Sequence, residues 1–198
     1  MKATKVTVDK NGLVHIICVL DRSGSMSGME SDVIGGFNAF VKAQQKVGDN
    51  AVLTLILFDS QYEVVFKRVP ISQVPVLDNK IYNVRGMTAL MDALGFALTT
   101  FTDDLAIVFV NTDGHENSSK EFTDQQIRDL VTNKKNLGWD FQFVGAGIDA
   151  WAVGSQYGFS KMDTISVSNT SAGHAATYDS MNLRSTKYRS SVEDVNNG

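Results

Sequence analysis

Three short polar segments of the chain carry oxygen-bearing side chains of the kind that bind hard cations. They are Asp21-Arg22-Ser23-Gly24-Ser25, Gly86-Met87-Thr88 and Thr112-Asp113-Gly114. The candidate ligands are two carboxylates and three hydroxyls, namely Asp21, Asp113, Ser23, Ser25 and Thr88. A donor set without cysteine or histidine favours Mg²⁺, Mn²⁺ or Ca²⁺ over zinc, and we place Mg²⁺ or Mn²⁺ ahead of Ca²⁺.

Hydroxyl ligands are neutral, so a cation held mainly by them keeps much of its positive charge. Mg²⁺ prefers octahedral oxygen coordination and retains waters, which leaves a position for a ligand from outside the chain. An anionic oxygen, such as the side chain of Asp or Glu on a partner protein, suits that position. We also predict that Arg22 points outward and attracts an acidic partner. The residues therefore indicate a site for recognising a protein.

These segments can act together only if the fold brings them to one place. The apolar stretch from Leu13 to Leu20 predicts a buried parallel strand that ends at the first segment, and residues 105–110 predict another that ends at the third. A helix over residues 89–101 is predicted to begin directly after Thr88. In a doubly wound sheet, ligands bind beyond the carboxyl ends of the strands, where the three segments would meet.

The rest of the chain alternates between strand and helix patterns. Further strands are predicted over residues 51–58, 62–69, 139–144 and 162–167, and further helices over residues 29–47, 123–137, 149–158 and 175–188. The short turn at residues 59–61 makes the flanking strands antiparallel, and Pro70 places the second of them at an edge. We predict an α/β fold, with a doubly wound, mostly parallel sheet, one antiparallel edge strand and helices on both faces. One domain is predicted over residues 13–189, between an N-terminal lead of residues 1–12 and a frayed tail of residues 190–198.

Composition excludes some classes of partner. The net charge of the 198 residues is −4, and the 18 lysines and arginines are spread along the chain, which disfavours nucleic-acid binding. The single cysteine, Cys18, cannot form an internal disulfide, which suggests a reducing compartment. No apolar run reaches the roughly 18 residues of a membrane span. We expect a cytoplasmic protein with neither nucleic acid nor membrane as a partner.

The three polar segments, in this order and at these positions, resemble the metal-ion-dependent adhesion site of the von Willebrand factor A (VWA) domain family. The similarity extends from about Val14 to Arg189 and includes the antiparallel hairpin. In addition, Gly145-Ala146-Gly147-Ile148-Asp149, the short helix after it and the terminal helix resemble small single-domain cytoplasmic members from bacteria and their phages. The D-x-S-x-S piece alone is a weak signal, whereas three segments in the right order form a specific one.

The resemblance implies a Rossmann-like three-layer sandwich and a role for each site residue. In the family's pattern, the three hydroxyls of Ser23, Ser25 and Thr88 bind the ion directly, and Asp21 and Asp113 act through water. No position of this chain departs from that pattern. The resemblance implies a metal-dependent protein-binding module and not an enzyme, with a chaperone-like ATPase or a host protein among the conceivable partners.

A serine hydrolase is the alternative function. Gly24-Ser25-Met26-Ser27-Gly28 matches G-x-S-x-G, so Ser27 would be the nucleophile, with Asp149 or Asp163 and then His174 following in chain order. A nucleophile elbow follows its strand directly, whereas several residues intervene here, and no oxyanion loop of the His-Gly-Gly type is present. An aspartyl phosphatase would require an acid two residues after Asp21, where this chain has Ser23. A nucleotide-binding protein would require a glycine-rich phosphate loop, and none follows the first predicted strand.

Overall fold

The computed structural model describes residues 13–103 and 105–196. The strands are β1 (Val14–Asp21), β2 (Ala51–Phe58), β3 (Tyr62–Pro70), β4 (Ala106–Thr112), β5 (Asp140–Ala146) and β6 (Thr164–Val167). The helices are α1 (Glu30–Val47), α2 (Leu90–Thr100), α3 (Asp124–Asn136), α4 (Ala150–Gly154) and α5 (Ser171–Asn196). The order of these elements follows the predicted one.

The six strands form one sheet in the order β3-β2-β1-β4-β5-β6. All neighbouring strands are parallel except β3, which pairs with β2 in antiparallel fashion at one edge. Every residue of β1, β2 and β4 is buried, as expected for central parallel strands covered on both faces. The predicted fold class is confirmed.

The helices cover both faces of the sheet, and side chains of β1 alternate between two apolar cores. Ile16 and Cys18 pack in the core beneath α1 and α5, whereas Ile17 and Val19 pack in the core beneath α2, α3 and α4. This alternation follows from the two-residue period of a strand. Burial raises the pKa of the Cys18 thiol, which behaves as a small apolar side chain.

Local signals place several helix ends where the sequence predicts them. The side chains of Thr123 and Gln126 form a reciprocal capping box at the start of α3. The Asp149 carboxylate accepts hydrogen bonds from two backbone N–H groups in the first turn of α4. Gly158, with φ of 84°, ends the short helical segment that follows.

The terminal helix is longer than predicted. It begins at Ser171 and continues through residues 190–196, where the sequence predicts a frayed tail. Its later turns pack on the domain: the buried Arg189 guanidinium donates to the backbone carbonyls of Gln44 and Gly48 at the end of α1, and Val192 is also buried. The predicted N-terminal lead lies outside the described residues. Within the described part of the chain, no helix combines the length and apolar character needed to cross a membrane.

Candidate metal-binding site

The fold brings the three polar segments together at the carboxyl edge of the sheet. β1 and β4 are neighbours, so the loops that follow them meet, and Ser25 Oγ donates a 2.6 Å hydrogen bond to Asp113 Oδ1. Thr88 lies beside them: a Cβ atom built on Gly114 would be 3.3 Å from Thr88 Oγ1 and 3.4 Å from Ser25 Oγ. Side chains from all three predicted segments therefore line one small region.

The Asp21 carboxylate is buried and held at both oxygens. Oδ1 accepts a 2.7 Å hydrogen bond from the Ser23 backbone N–H, and Oδ2 accepts a 2.5 Å bond from Thr112 Oγ1. The Tyr82 hydroxyl donates to the Asp21 backbone carbonyl at 2.6 Å. Burial raises the pKa of Asp21 to about 6, although hydrogen bonds from Thr112 and Ser23 act in the opposite direction. Because no Lys or Arg among the described residues pairs with this carboxylate, its buried negative charge lacks a cationic partner.

The three hydroxyls differ in exposure but lie close to the carboxylates. Ser23 Oγ is 3.1 Å from Ser25 Oγ, and Ser23 is buried whereas Ser25 is exposed. Thr88 is also buried, and Asn117 fixes its backbone by accepting from the Thr88 N–H at 2.9 Å and donating to the Thr88 carbonyl at 3.0 Å. A hydroxyl that donates its proton to a carboxylate still has lone pairs for a cation. The arrangement thus leaves oxygen donors available at the solvent-facing end of the cluster.

Arg22 does not point outward, so that prediction is wrong. Its side chain is only 2% exposed, and its Nε donates to Asp59 Oδ2 at 2.8 Å while another guanidinium nitrogen donates to Glu63 at 2.8 Å. Arg85 Nε also donates to Asp59 Oδ2 at 2.8 Å. A buried guanidinium requires an acceptor partner, and Asp59, which directly follows β2, supplies one at the same sheet edge.

Asp59 is a residue of the site framework that the sequence analysis did not identify. Burial alone would raise its pKa, but hydrogen bonds from Arg85 and Arg22 outweigh burial, and the pKa of Asp59 is lowered. Its backbone carbonyl accepts from the Ala89 N–H at 2.7 Å, immediately after Thr88. The signal that could have found it is the one used for Asp21, a carboxylate at the end of a fully buried parallel strand.

The first and second segments are also joined through their backbones. The Gly24 N–H donates to the Gly86 carbonyl at 3.1 Å, and the Arg85 N–H donates to the Arg22 carbonyl at 2.8 Å. The candidate ligand Ser25 therefore lies on a loop whose path is fixed by its neighbour. This rigidity suits a site that must hold several oxygens at set positions.

The donor chemistry fits a hard cation held largely by neutral oxygens. Within residues 13–103 and 105–196, no group of three or more His, Cys, Asp and Glu side chains is arranged to hold a metal ion. A cation here would need the serine and threonine hydroxyls in addition to the two carboxylates. Hydrogen bonds link Asp21 to Ser23, Ser23 to Ser25 and Ser25 to Asp113, and none of the five predicted residues offers a soft ligand.

The residues proposed for a serine hydrolase do not assemble into a triad. Ser27 is exposed, and no hydrogen bond in the described part of the chain joins it to His174. His174 Nε2 instead contacts Asn169 Oδ1 at 3.0 Å. The Asp149 side chain caps α4, and the Asp163 side chain accepts from Lys135 and Ser160. The geometry does not favour the hydrolase.

Comparisons with known proteins place the fold. No family model matches the chain, and no curated protein matches its sequence. The vWF domain of the type V pili tip protein Mfa5 from Porphyromonas gingivalis is similar in structure, with a TM-score of 0.67, 13% identity and coverage of 87% of this chain and 94% of that one.

Two further solved structures share the architecture. Proximal thread matrix protein 1 from the mussel byssus has a TM-score of 0.63 and 14% identity, over 91% of this chain and 48% of that one. The ArnB paralog VWA2 from Sulfolobus acidocaldarius has a TM-score of 0.60 and 15% identity, over 82% of this chain and 43% of that one. The chain thus spans about half the length of these two proteins or less. The fold is VWA-like, and at such low identities the likeness establishes the fold alone.

Proposed function

We propose that this protein is a metal-dependent protein-binding module and not an enzyme. Ser23, Ser25 and Thr88 would hold Mg²⁺ or Mn²⁺, with Asp21 and Asp113 completing the site. The observation that carries the proposal is the convergence of these oxygens at one sheet edge, with Ser25 Oγ only 2.6 Å from the Asp113 carboxylate. The fold is VWA-like, and one similar structure is the vWF domain of a pili tip protein. This likeness supports a role in protein interaction.

The distribution of burial supports docking from solvent. Asp21, Ser23 and Thr88 are buried, whereas Ser25 is exposed and Asp113 is partly exposed. A bound cation would supply a Lewis-acidic point that accepts an anionic oxygen from outside. The partner would present an Asp or Glu side chain to it. The candidate partners are a chaperone-like ATPase and a host protein, and we predict a cytoplasmic location.

Metal binding is tested by isothermal titration of the chelator-treated protein with MgCl₂ and MnCl₂. Ser25→Ala should weaken cation binding by about 10-fold or more, because it removes a candidate ligand. Ser27→Ala is the matched control, since Ser27 is exposed in the same loop but lies outside the donor set. Equal affinities for the parent and Ser25→Ala would refute the site.

Carboxylate docking is tested by water-proton relaxation of the Mn²⁺-loaded protein. Acetate, and a short peptide containing one Asp, should displace water from the ion and lower the relaxation enhancement. The same peptide with Asn in place of Asp is the control and should have no effect. If the Asp and Asn peptides behave alike, the protein does not dock partners through a carboxylate on the ion.

A further inference from the structure

Asn169 reaches the candidate site from a fourth part of the chain. It lies in the loop between β6 and α5, and its Nδ2 donates to Asp113 Oδ2 at 3.2 Å. The other oxygen of the same carboxylate accepts from Ser25 Oγ at 2.6 Å. Asp113 is therefore held between one donor from the β1 loop and one from the loop that precedes the terminal helix.

Hydrogen-bonding chemistry fixes the orientation of the Asn169 amide. An ionised carboxylate only accepts hydrogen bonds, so the NH₂ end of the amide must face Asp113 and the carbonyl end must face away. That carbonyl, Oδ1, lies 3.0 Å from His174 Nε2, which must then carry the proton. His174 is fully buried, and its Nδ1 has no hydrogen-bond partner, as expected for the unprotonated nitrogen of a neutral imidazole. The contacts with Asp113 and with His174 are therefore both consistent with the same orientation of the Asn169 amide, with Nδ2 toward Asp113 and Oδ1 toward His174.

The surrounding loop leaves little freedom for Asn169. Gly147 has φ of 71°, and a Cβ atom there would lie 3.0 Å from Asn169 Cβ. The residue after Asn169 is tied to the terminal helix, because the Thr170 carbonyl accepts from the His174 N–H in the first turn of α5. Asn169 is exposed, yet its side chain has a defined partner at each end.

We propose that Asn169 is a positioning residue of the cation site, which sets the orientation of the Asp113 carboxylate and thereby raises the affinity for Mg²⁺ or Mn²⁺. This inference rests on the proposed function. Carboxylates in metal sites are commonly oriented by a hydrogen-bond donor that does not touch the ion, and loss of such a donor typically lowers metal affinity by about 10- to 100-fold. Without Asn169, Ser25 would be the one side chain among the described residues that donates a hydrogen bond to Asp113, and Ser25 is itself a candidate ligand.

The test compares Mn²⁺ affinities of the parent, Asn169→Ala and Ser168→Ala, each with the melting temperature of its metal-free form. Asn169→Ala should bind Mn²⁺ about 10-fold more weakly, with a metal-free melting temperature close to that of the parent. Ser168→Ala is the control, because it alters the same loop without removing the contact to Asp113, and its affinity should stay within about 2-fold of the parent. An unchanged affinity in Asn169→Ala, or equal losses in both variants, would overturn the inference.

A second readout does not need the metal. In ¹⁵N-labelled metal-free protein, Asp113→Ala should shift the side-chain NH₂ resonances of Asn169, whereas Asp179→Ala, a change on the exposed surface of α5, should leave them in place. If the parent binds no cation, the proposed function fails while this contact is still measured. If the Asn169 resonances do not respond to Asp113→Ala, the contact is absent and the positioning role fails by itself.

Discussion

Replacing Asp59 by Asn keeps the size of the side chain but removes the charge shared by two guanidinium groups. Arg22 is 2% exposed, and its remaining acidic partner within residues 13–103 and 105–196 would be Glu63, whose side chain is 57% exposed. Removing one partner of a buried ion pair costs about 3–5 kcal/mol. Because the Asn carbonyl still accepts a hydrogen bond and Glu63 remains, we expect a loss of about 2–3 kcal/mol in the free energy of unfolding.

The measurement is thermal and urea unfolding of the metal-free protein in the presence of chelator. For a domain of this size, about 2–3 kcal/mol corresponds to a fall of about 4–12 °C in melting temperature. Asp179→Asn removes an exposed carboxylate and should change the free energy of unfolding by less than about 0.5 kcal/mol. A similarly small change in Asp59→Asn at neutral pH would refute the reasoning that Asp59 joins the site loops.

The pH dependence gives a second check on the same variant. Since the pKa of Asp59 is lowered in the folded state, its ionised form stabilises the fold above the unfolded pKa of about 3.9. This contribution is lost as the pH falls from there through the folded pKa. The difference between parent and Asp59→Asn should therefore be full at pH 7 and shrink below about pH 4. A difference that stays constant down to pH 3 would contradict the assignment to an ionised carboxylate.

Three further predictions follow from the same structure. Mg²⁺ at about 100 times its dissociation constant should stabilise the fold by about 2.7 kcal/mol, and chelator should reverse the effect. A melting temperature that changes with neither Mg²⁺ nor chelator would contradict an occupied site. Gly36→Ala should lower the free energy of unfolding in urea by about 1–3 kcal/mol, because the new Cβ would lie 2.0 Å from the Tyr178 ring. Gly35→Ala is the control: its Cβ would meet nothing within 4 Å, so this change should be neutral or stabilising. Similar effects at both positions would contradict the packing argument. Burial alone would raise the pKa of Asp103, but hydrogen bonds from His15 and Arg68 bring it to about 2, so the parent should lose stability between about pH 4 and pH 2. Asp103→Asn should lack that loss in acid unfolding, and an unchanged pH profile would rule the interaction out.

The parts of the fold that the sequence predicts best are the central strands. β2 occupies Ala51–Phe58, the range predicted for it, because a continuous apolar run bounded by polar residues has few other interpretations. Polar side chains that directly follow such strands must lie at one sheet edge, which is why Asp21 and Asp113 were predictable. The prediction therefore depended on both the polar residues of the loops and the strand pattern that brings those loops together.

The partners of polar side chains were less predictable. Arg22 lies in a polar loop, and nothing in the local sequence says that Asp59, which lies 37 positions away, neutralises it. The terminal helix poses a similar problem, because buried polar residues such as Ser185 and Arg189 interrupt its apolar pattern. In both cases a contact between residues far apart in the chain decides the structure. The local sequence pattern predicts such a region poorly, because it does not contain the partner that stabilises it.

The junctions between the three site segments suggest where a cation would have its largest structural effect. The first and second segments share backbone hydrogen bonds, and the second is tied to the loop that continues from the third, because the Asn117 N–H donates to the Thr88 carbonyl. Beyond the last paired residues of β1 and β4, the hydrogen bonds described between the first and third segments run through the side chains of Thr112 and Ser25 to the two carboxylates. Side-chain junctions adjust more readily than backbone ones. A cation shared by Ser25 and Asp113 would therefore bridge the junction of the site that the chain itself fixes least.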